Sequence, residues 1–231
     1  MLNTNAIAIV IGATGGIGRV LMRALAQDAA YDEVIGLSRS STPPLDLTSE
    51  TSIAAAAAFI AEQGTPRLII DATGVLQSET VKAEKSWREL NAARLAEAFA
   101  INAIGPALVM KHFLPLLPRE GSAVFATLSA RVGSIGDNRL GGWYSYRASK
   151  AALNQLVRTA AIELSRRSPN AVCVALHPGT VDTGLSASFA KTGLDVQAPE
   201  LAGERLLGVI AKLTAADSGG FFDYKGEAIV W

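Results

Sequence analysis

Tyr146 and Lys150 are the residues of this sequence whose types and spacing most directly suggest catalysis. They are four positions apart in a helical pattern, so their side chains project from one face of a helix, about one turn apart. An ammonium group near a phenol favours the phenolate and lowers its pKa from the usual value of about 10. Such a tyrosine can donate and accept a proton near neutral pH. Taken alone, the pair is also consistent with an ordinary contact on a helix surface.

A glycine-rich turn near the start of the chain is the second chemical signal. Gly12, Gly16 and Gly18 follow a first apolar run and precede an amphipathic stretch. Glycines in this position allow a tight turn and a close approach of the backbone to a ligand. The amides at the start of the following helix then face that ligand, and the helix dipole favours a diphosphate. The alternative is a helix N-terminus whose glycines serve packing alone.

Arg39 is the residue that bears on the choice of dinucleotide. It lies in the segment 36–40 at the end of the second apolar run, a tip that lies beside the adenosine ribose in a dinucleotide-binding fold. An acidic residue there would bind the 2′-hydroxyl, whereas an arginine binds a 2′-phosphate. No Asp or Glu occurs between Glu33 and Asp46. We therefore expect NADP(H) in preference to NAD(H); the alternative is a solvated surface arginine.

The elements that must position these residues alternate along the whole chain. Short apolar runs of strand type lie at 7–11, 34–37, 68–70, 124–128 and 172–176, with weaker candidates at 221–222 and 44–47. Helical patterns lie at 16–28, 49–62, 92–117, 144–167 and 199–213. This alternation predicts βαβ units and a parallel sheet with helices on both faces. We predict a doubly wound α/β fold of the Rossmann type, with about seven strands, because a closed barrel usually needs about 250 residues. We expect one domain over residues 1–231.

Composition excludes several other classes of protein. The chain has 231 residues, 49% of them hydrophobic, with 21 basic and 21 acidic side chains and a single cysteine. One cysteine rules out a disulfide framework, and no metal-ligand spacing joins Cys173 to His112 or His177. The balanced charge disfavours nucleic-acid and membrane-surface binding. Purely apolar runs reach only eight or nine residues, and no basic residue precedes the first of them. We expect no membrane span, no secretory signal and a cytoplasmic protein.

Taken together, the motifs resemble the short-chain dehydrogenase/reductase family in its single-domain form, over nearly the whole chain. The resemblance rests on Gly12-x-x-x-Gly16-x-Gly18, Asn102, Ser129 after a strand, Tyr146-x-x-x-Lys150, and the run from His177 to Thr180. Within the family, the segment 133–150 looks like the C-factor-like and carbonyl-reductase-like branch.

This resemblance implies hydride transfer between a nicotinamide cofactor and a carbonyl or secondary alcohol. Tyr146 would be the general acid for reduction and the base for oxidation, while Lys150 would lower its pKa and bind the nicotinamide ribose. Ser129 would hydrogen-bond the substrate oxygen, and Asn102 would hold a water that connects Lys150 to solvent. Further cofactor contacts implied by the family are Gly12, Thr14, Gly16, Ile17, Gly18, Arg39, Asp46 and Leu47 (against the adenine), Gly74 after the fourth strand, Pro178, Gly179, Thr180, Val181 and Thr183. Helices 92–117 and 144–167 would form the contact of a homodimer or homotetramer.

Three positions depart from the family pattern. Ile11 stands where a threonine is usual, and 71–74 reads Asp-Ala-Thr-Gly where Asn-Asn-Ala-Gly is usual. The family often has Ser-Ser-x-x-Gly with the second serine catalytic, but here Ser129 is followed by alanine. Either Ser129 reaches the substrate, or Ser134 does, or the reaction proceeds with a weakened donor.

Two other functions compete with an oxidoreductase. A dinucleotide-binding protein of the C-factor type would report the state of the cofactor to a partner, with little or no turnover. A methyltransferase on a similar sheet is disfavoured because it leaves Tyr146 and Lys150 unexplained. The stretch 185–199 would cover the substrate as a lid, and Trp143 is a candidate to line the substrate site, but the substrate itself remains open.

Overall fold

A parallel sheet forms the centre of the molecule. The computed structural model describes residues 5–76, 83–183 and 196–231. The strands in these residues are β1 (Ala6–Ile11), β2 (Glu33–Leu37), β3 (Thr65–Asp71), β4 (Ala123–Leu128), β5 (Ala171–His177), β6 (Thr180–Val181), β7 (Val196–Gln197) and β8 (Phe221–Asp223). Six of them form the main sheet in the order β2-β1-β3-β4-β5-β8, all parallel. A separate two-stranded parallel sheet pairs β6 with β7.

Helices connect these strands. The α-helices are α1 (Gly16–Leu25), α2 (Glu50–Gln63), α3 (Ala92–Phe99), α4 (Gly105–Phe113), α5 (Tyr144–Arg167) and α6 (Pro199–Ile210). A π-helical turn, Ala100–Ile104, joins α3 to α4, and short 3₁₀ turns lie at Trp87–Glu89, Leu114–Leu116, Arg131–Gly133 and Ala215–Asp217. The order of strands and helices is that of a Rossmann-type α/β fold, as the sequence predicts.

The two faces of the sheet are covered by different helices. Side chains alternate along β1, so Ile7, Ile9 and Ile11 face α2, α4 and α5 in one apolar cluster. Ala8 and Val10 face the other way, toward α1 and α6. Each face is closed by helices, which explains why the central strands are apolar at every position.

The edge where the strands end is the edge that carries the predicted site. Ile11 is in register with Asp71 of β3, which is in register with Thr127 of β4. Farther along, Leu128 of β4 is in register with Leu176 of β5. Because these strands are parallel, the segments that follow them emerge side by side. The strand order reverses between β1 and β3, which is where ligands bind in open α/β sheets.

One predicted strand, 44–47, is wrong. The backbone of this segment bonds to side chains and to a turn instead of to a neighbouring strand: the Ser52 hydroxyl donates to the Pro44 carbonyl and accepts from the Asp46 amide. The Leu45 amide donates to the Ser38 carbonyl. The main sheet therefore has six strands where about seven were predicted, and Gly74 follows the third strand of the chain, not the fourth.

The predicted helix 92–117 is a series of helical turns. Its middle is the π turn Ala100–Ile104, and its end, Leu114–Leu116, is 3₁₀. By length and composition alone, Ala92–Leu116 is long and apolar enough to cross a membrane, with a mean hydropathy of 1.3. The lengths of the purely apolar runs did not indicate this stretch. Core helices give the same signal, and Val109 and Phe113 of this stretch are fully buried against the sheet.

Candidate active site

A cavity of about 680 Å³ lies at the edge where the central strands end. Its walls come from the glycine turn, from the ends of β3, β4 and β5, and from the start of α5. Ten of the predicted site residues line it: Ile17, Gly74, Ser129, Tyr146, Lys150, Pro178, Gly179, Thr180, Val181 and Thr183. Residues from distant parts of the sequence therefore share one cavity.

Tyr146 and Lys150 lie in the first two turns of α5. The ammonium group of Lys150 is 6.0 Å from the centre of the Tyr146 ring, and it donates a 2.8 Å hydrogen bond to the Leu128 carbonyl at the end of β4. Lys150 is 2% exposed, and this burial lowers its pKa to about 8, against the opposing effect of the Asp71 carboxylate.

The predicted direction of the Tyr146 pKa is wrong for this structure. Burial raises the pKa of Tyr146 above its usual value, because the charged phenolate is less well solvated there than in water and is therefore disfavoured. Desolvation is the cause of this shift. The Lys150 ammonium is bonded to the Leu128 carbonyl and lies 6.0 Å from the centre of the ring. At neutral pH the phenol is therefore protonated, which is the form that donates a proton to a carbonyl oxygen.

The two candidate serines have different surroundings. Ser129 lines the cavity, whereas Ser134 is 2% exposed and donates a 2.5 Å hydrogen bond to the Val230 carbonyl. The Ser129 hydroxyl lies 2.6 Å from the side-chain oxygen of Asn154, in the third turn of α5. This arrangement favours Ser129 as the group that meets a ligand and gives Ser134 a structural contact.

Asn154 is a residue that the sequence reasoning missed. Its Nδ2 atom is buried and has no partner among the described residues, while its Oδ1 atom accepts a hydrogen bond from the Ser129 hydroxyl. Buried amide groups are almost always bonded, and the oxygen and nitrogen of an asparagine can exchange places by a half-turn. After that turn Nδ2 donates to Ser129, whose own proton becomes available to a ligand. Nothing in the sequence pattern marks this asparagine, because the contact joins β4 to α5.

Asn102 does not line the cavity; it holds the segment behind it. Its side chain pairs with both backbone groups of Val75, at 2.8 Å each, and donates to the Ser149 hydroxyl at 3.2 Å. Its side-chain oxygen and nitrogen are therefore both bonded within the protein, and the water relay expected at Asn102 stays a prediction. Gly74 lies between the two groups: a Cβ there would be 3.3 Å from Lys150 Nζ and 3.4 Å from Asn102 Oδ1.

Asp71 replaces the usual asparagine and ties the sheet together. Its carboxylate accepts from the Thr127 hydroxyl of β4 at 3.0 Å, and from the amide and hydroxyl of Thr73 at 3.1 and 2.5 Å. These bonds keep the end of β3 beside the end of β4 in the altered motif. The fully buried carboxylate also favours the charged form of Lys150.

The glycine turn has the shape of a cradle for a diphosphate. Gly12 has φ of +82°, and its amide donates to the Leu37 carbonyl at 2.8 Å. A Cβ at Gly18 would be 2.2 Å from the Gly12 carbonyl oxygen, and a Cβ at Gly16 would be 2.5 Å from Thr183 Cγ2. Helix α1 begins without a side-chain cap, so its first amides are left for a ligand. These residues would hold the diphosphate of a dinucleotide, and Ile17 is the member of the turn that lines the cavity.

The predicted adenosine contacts lie at the end of β2, outside the cavity. Arg39 is exposed and has no hydrogen bond or ion pair among the described residues. Asp46 lies near enough for the Arg39 charge to help lower its pKa, although the main cause is hydrogen bonding from Thr48. Leu47 packs toward Gly105 of α4. The carbonyl of Thr14 in the turn accepts from Arg19 Nε at 2.8 Å, which places a second cation near this end.

The segment after β5 closes the cavity on the far side. Gly179 has φ of +80°, and the Pro178 carbonyl accepts a hydrogen bond from Gln197 Nε2. His177 also lines the cavity; burial and the neighbouring Arg131 lower its pKa to about 4, so the ring is neutral at neutral pH. The predicted lid 185–199 lies mainly outside the described residues. Across the described parts of the chain, no three His, Cys, Asp or Glu side chains form a group able to hold a metal ion.

Glu84 is a second missed residue, and it fixes the start of α5. Its buried carboxylate accepts from the amide of Ser145, at 3.1 Å, and from its hydroxyl. Its carbonyl accepts from the amide of Trp143, a cavity residue held at φ of +52° with its ring edge-on to Tyr146 at 6.4 Å. A carboxylate at a helix N-terminus is favoured by the dipole. Glu84 thus sets the position of the helix that carries Tyr146 and Lys150.

Comparisons with known proteins agree with this geometry. A family model described as enoyl-(acyl carrier protein) reductase matches residues 12–206. The C-signal protein of Myxococcus xanthus is 39% identical over 143 residues, which cover 62% of this chain and 82% of that protein. The 1-hydroxy-2-glutathionyl-2-methyl-3-butene dehydrogenase of Rhodococcus sp. (strain AD45) is 31% identical over 234 residues, covering 96% of this chain and 98% of that protein. A solved structure of carbonyl reductase from chicken fatty liver, with NADPH bound, has a TM-score of 0.85 at 25% identity and covers 100% of this chain and 96% of that one.

Replacing Glu84 by glutamine tests its role at the start of α5. The variant keeps the size of the side chain but removes the charge and one acceptor, so one Ser145 donor is left unpaired. We expect the free energy of unfolding to fall by about 1–3 kcal/mol, measured by urea denaturation. Glu120→Gln on the exposed surface is the matched control. Equal unfolding midpoints for the Glu84 variant and the parent would show that this contact does not hold the helix.

The lowered pKa of Lys150 predicts a pH dependence of stability. Below about pH 8 the lysine is charged in both folded and unfolded chains, so folding bears the full cost of burying the charge. Between about pH 8 and the unfolded value of 10.5 the folded lysine is neutral while the unfolded lysine still binds a proton. Stability from this group therefore rises with pH across that window. The free energy of unfolding of the parent should rise relative to that of Lys150→Met over the same range.

Measuring the difference between parent and variant removes the contributions of Tyr146 and Cys173, whose pKa values burial raises in both proteins. If the difference in free energy of unfolding between the parent and Lys150→Met stays constant from about pH 7.5 to 10.5, the Lys150 ammonium is solvated in the folded protein.

Proposed function

We propose that this chain, which belongs to the short-chain dehydrogenase/reductase family and is an oxidoreductase of that family, uses NADPH to reduce the carbonyl group of a small molecule to an alcohol. The observation that carries the proposal is the convergence of Ser129, Tyr146 and Lys150 on one cavity that ends at the glycine turn. The dehydrogenase of Rhodococcus and the carbonyl reductase of chicken liver, which resemble the chain over nearly its whole length, support it.

The side chains divide the proton transfer between them. Bound NADPH supplies the hydride that the carbonyl carbon accepts. Tyr146 donates its proton to the carbonyl oxygen, and its raised pKa keeps that proton in place at neutral pH until the substrate takes it. The Lys150 ammonium then stabilises the phenolate. Ser129 donates a hydrogen bond to the oxygen as negative charge develops on it, with Asn154 holding the serine in place.

The protonated form of Tyr146 is the form that reduction of a carbonyl requires. A base that abstracts a proton from an alcohol must first be deprotonated, and burial makes the Tyr146 phenolate unfavourable. A general acid has the opposite requirement, which the protonated phenol meets.

Arg39 supports NADPH as the cofactor. It is an exposed cation directly after β2, and the Leu37 carbonyl at that strand end accepts from the amides of Gly12 and Ala13 in the glycine turn. A dinucleotide in the turn would extend its adenosine ribose toward this point. A guanidinium can bind a 2′-phosphate through two parallel hydrogen bonds.

We propose that the enzyme acts in the cytoplasm and forms a homodimer or homotetramer. Residues 1–231 would form one domain, and the enzyme would bind neither nucleic acid nor membranes. The balanced charge and single buried cysteine support an intracellular site. Exposed apolar side chains on the two helices of the expected contact, Ile104 and Ile162, support self-association. Sedimentation equilibrium of the purified protein decides the oligomeric state.

The sequence identity to the C-signal protein of Myxococcus xanthus supports a second candidate function. A protein of that kind would bind the dinucleotide and signal its state with little turnover. The catalytic test below separates the two functions.

Purified protein should consume NADPH when offered a panel of aldehydes, ketones and quinones. Tyr146→Phe removes only the hydroxyl, so we expect turnover to fall by about 10²-fold or more while cofactor binding survives. Ser129→Ala should lower kcat by about 10²–10³-fold, because it removes the donor to the developing charge. Ser134→Ala is the matched control and should change the rate little.

Turnover of the Tyr146 variant within a few-fold of the parent would remove this tyrosine from the mechanism and favour the signalling protein. A larger effect for Ser134 than for Ser129 would exchange the roles of the two serines.

Arg39→Asp should reverse the cofactor preference. The parent should bind NADPH on the order of 10- to 100-fold more tightly than NADH, since charge-assisted hydrogen bonds contribute about 1.5–3 kcal/mol each and solvent weakens them here. The new carboxylate repels a phosphate and accepts from a ribose hydroxyl. Titrations of both cofactors at two salt concentrations measure the effect, with Arg23→Asp as the control for added charge. A parent that binds both cofactors equally would show that Arg39 points into solvent.

A further inference from the structure

Two arginines at the mouth of the active-site cavity have no part in the proposed chemistry. Arg139 and Arg147 both line the cavity, and so do their neighbours in the chain Trp143 and Tyr146. Neither belongs to the glycine turn, where the phosphates of a dinucleotide would bind. Their charge therefore faces the part of the cavity that is left for the substrate.

A third arginine nearby is already neutralised. Arg131 donates to Asp137 at 3.2 Å and to the buried Asp223 at 3.0 Å. Asp137 is the one acidic side chain among the described residues that line the cavity. Both carboxylates are bonded to Arg131, and neither forms a hydrogen bond or ion pair with Arg139 or Arg147 in the described part of the chain.

Arg147 is a fixed cation bound only to neutral groups in the described structure. Its Nε donates to the Gly142 carbonyl at 3.0 Å and its Nη1 to the Val132 carbonyl at 3.1 Å. The side chain is half-buried, so its orientation is set before a ligand arrives. A guanidinium in a partly dry site attracts an anion more strongly than one in water.

Arg139 completes the site from the solvent side. It is exposed and has no hydrogen bond or ion pair within the described residues. It is followed by Leu140 and Gly141, which also line the cavity. The mouth therefore combines two cations that have no ion-pair partner in the described structure with an apolar wall formed by Leu140, Val132 and Trp143.

We propose that the substrate is a carbonyl compound that carries a carboxylate, with the carboxylate bound by Arg139 and Arg147 and the carbonyl group directed to Tyr146 and Ser129. The inference rests on the proposed function and names its substrate class. Guanidinium groups bind carboxylates through paired hydrogen bonds, and the apolar wall suits an aromatic or aliphatic spacer. The reaction is unchanged: the carbonyl carbon gains the hydride, and the oxygen gains the tyrosine proton.

Two aldehydes that differ only in charge test the inference. 4-Formylbenzoate carries a carboxylate, and methyl 4-formylbenzoate has the same aldehyde and a similar size without the charge. Calorimetry on protein saturated with NADP⁺ measures binding of each without reduction, and assays with NADPH measure kcat/KM. We expect the parent to bind the charged aldehyde at least about tenfold more tightly, the equivalent of about 1.4 kcal/mol. Arg139→Gln should lose most of this preference.

Arg119→Gln is the matched control, because Arg119 is exposed and lies at the opposite end of β4. It should keep the preference, and all three proteins should bind NADPH equally. Equal binding of the two aldehydes by the parent overturns the inference, and so does a preference that survives in Arg139→Gln. A loss of NADPH affinity in Arg139→Gln would instead assign this arginine to the cofactor. Tight binding of 4-formylbenzoate with no turnover of any aldehyde would support the anion site and contradict the proposed reduction.

Discussion

The buried ammonium group of Lys150 is the constraint on which the rest of the site depends. A charged group that is only 2% exposed needs a hydrogen-bond acceptor and a nearby opposite charge. The Leu128 carbonyl is the acceptor, and the Asp71 carboxylate supplies the opposite charge. Both come from the ends of central strands, so the lysine is stable only if those strands end at the same level. Gly74 leaves room for the ammonium, because a side chain at this position would contact it. The sheet, the altered motif after β3 and the helix α5 are thus coupled through one charge.

Departures from the family pattern are compensated by contacts between elements. Asp71, which stands where an asparagine is usual, accepts from Thr127 and Thr73. Asn154 supports Ser129, which has alanine after it where a second serine is usual. The contacts of Asp71 with Thr127 and of Ser129 with Asn154 join separate elements, so the tertiary structure holds these two positions although the local sequence has changed.

Backbone strain and buried contacts at the start of α5 position the side chains that line the cavity. Trp143 has a left-handed backbone, a conformation that is unfavourable for a bulky residue. It is held there by the Glu84 carbonyl, while the Glu84 carboxylate binds Ser145. Arg147 bonds the carbonyls of the preceding glycines. The same few contacts therefore set Tyr146 for proton transfer and expose a cation at the cavity mouth.

The sequence by itself determined the class of fold, the order of the elements and the residue types of the catalytic group. Apolar runs and helical periodicity are local properties, so β1 and β5 could be predicted closely and the bounds of α5 agree with the predicted range 144–167. The glycine turn and the pair Tyr146 and Lys150 are local motifs as well. The segment 44–47 failed because its apolar residues satisfy strand periodicity, whereas its backbone bonds to a helix side chain.

Only the tertiary structure decided which of these residues share a cavity and in what protonation state. The pKa of Tyr146 depends on desolvation by elements far away in sequence, which a four-residue spacing cannot report. Glu84 and Asn154 act across elements and carry no motif of their own. The choice between Ser129 and Ser134 likewise rested on long-range contacts, since Val230, near the end of the chain, engages one of them. Local patterns follow from the chain, but electrostatic environment and hydrogen-bond partners follow from how distant segments pack.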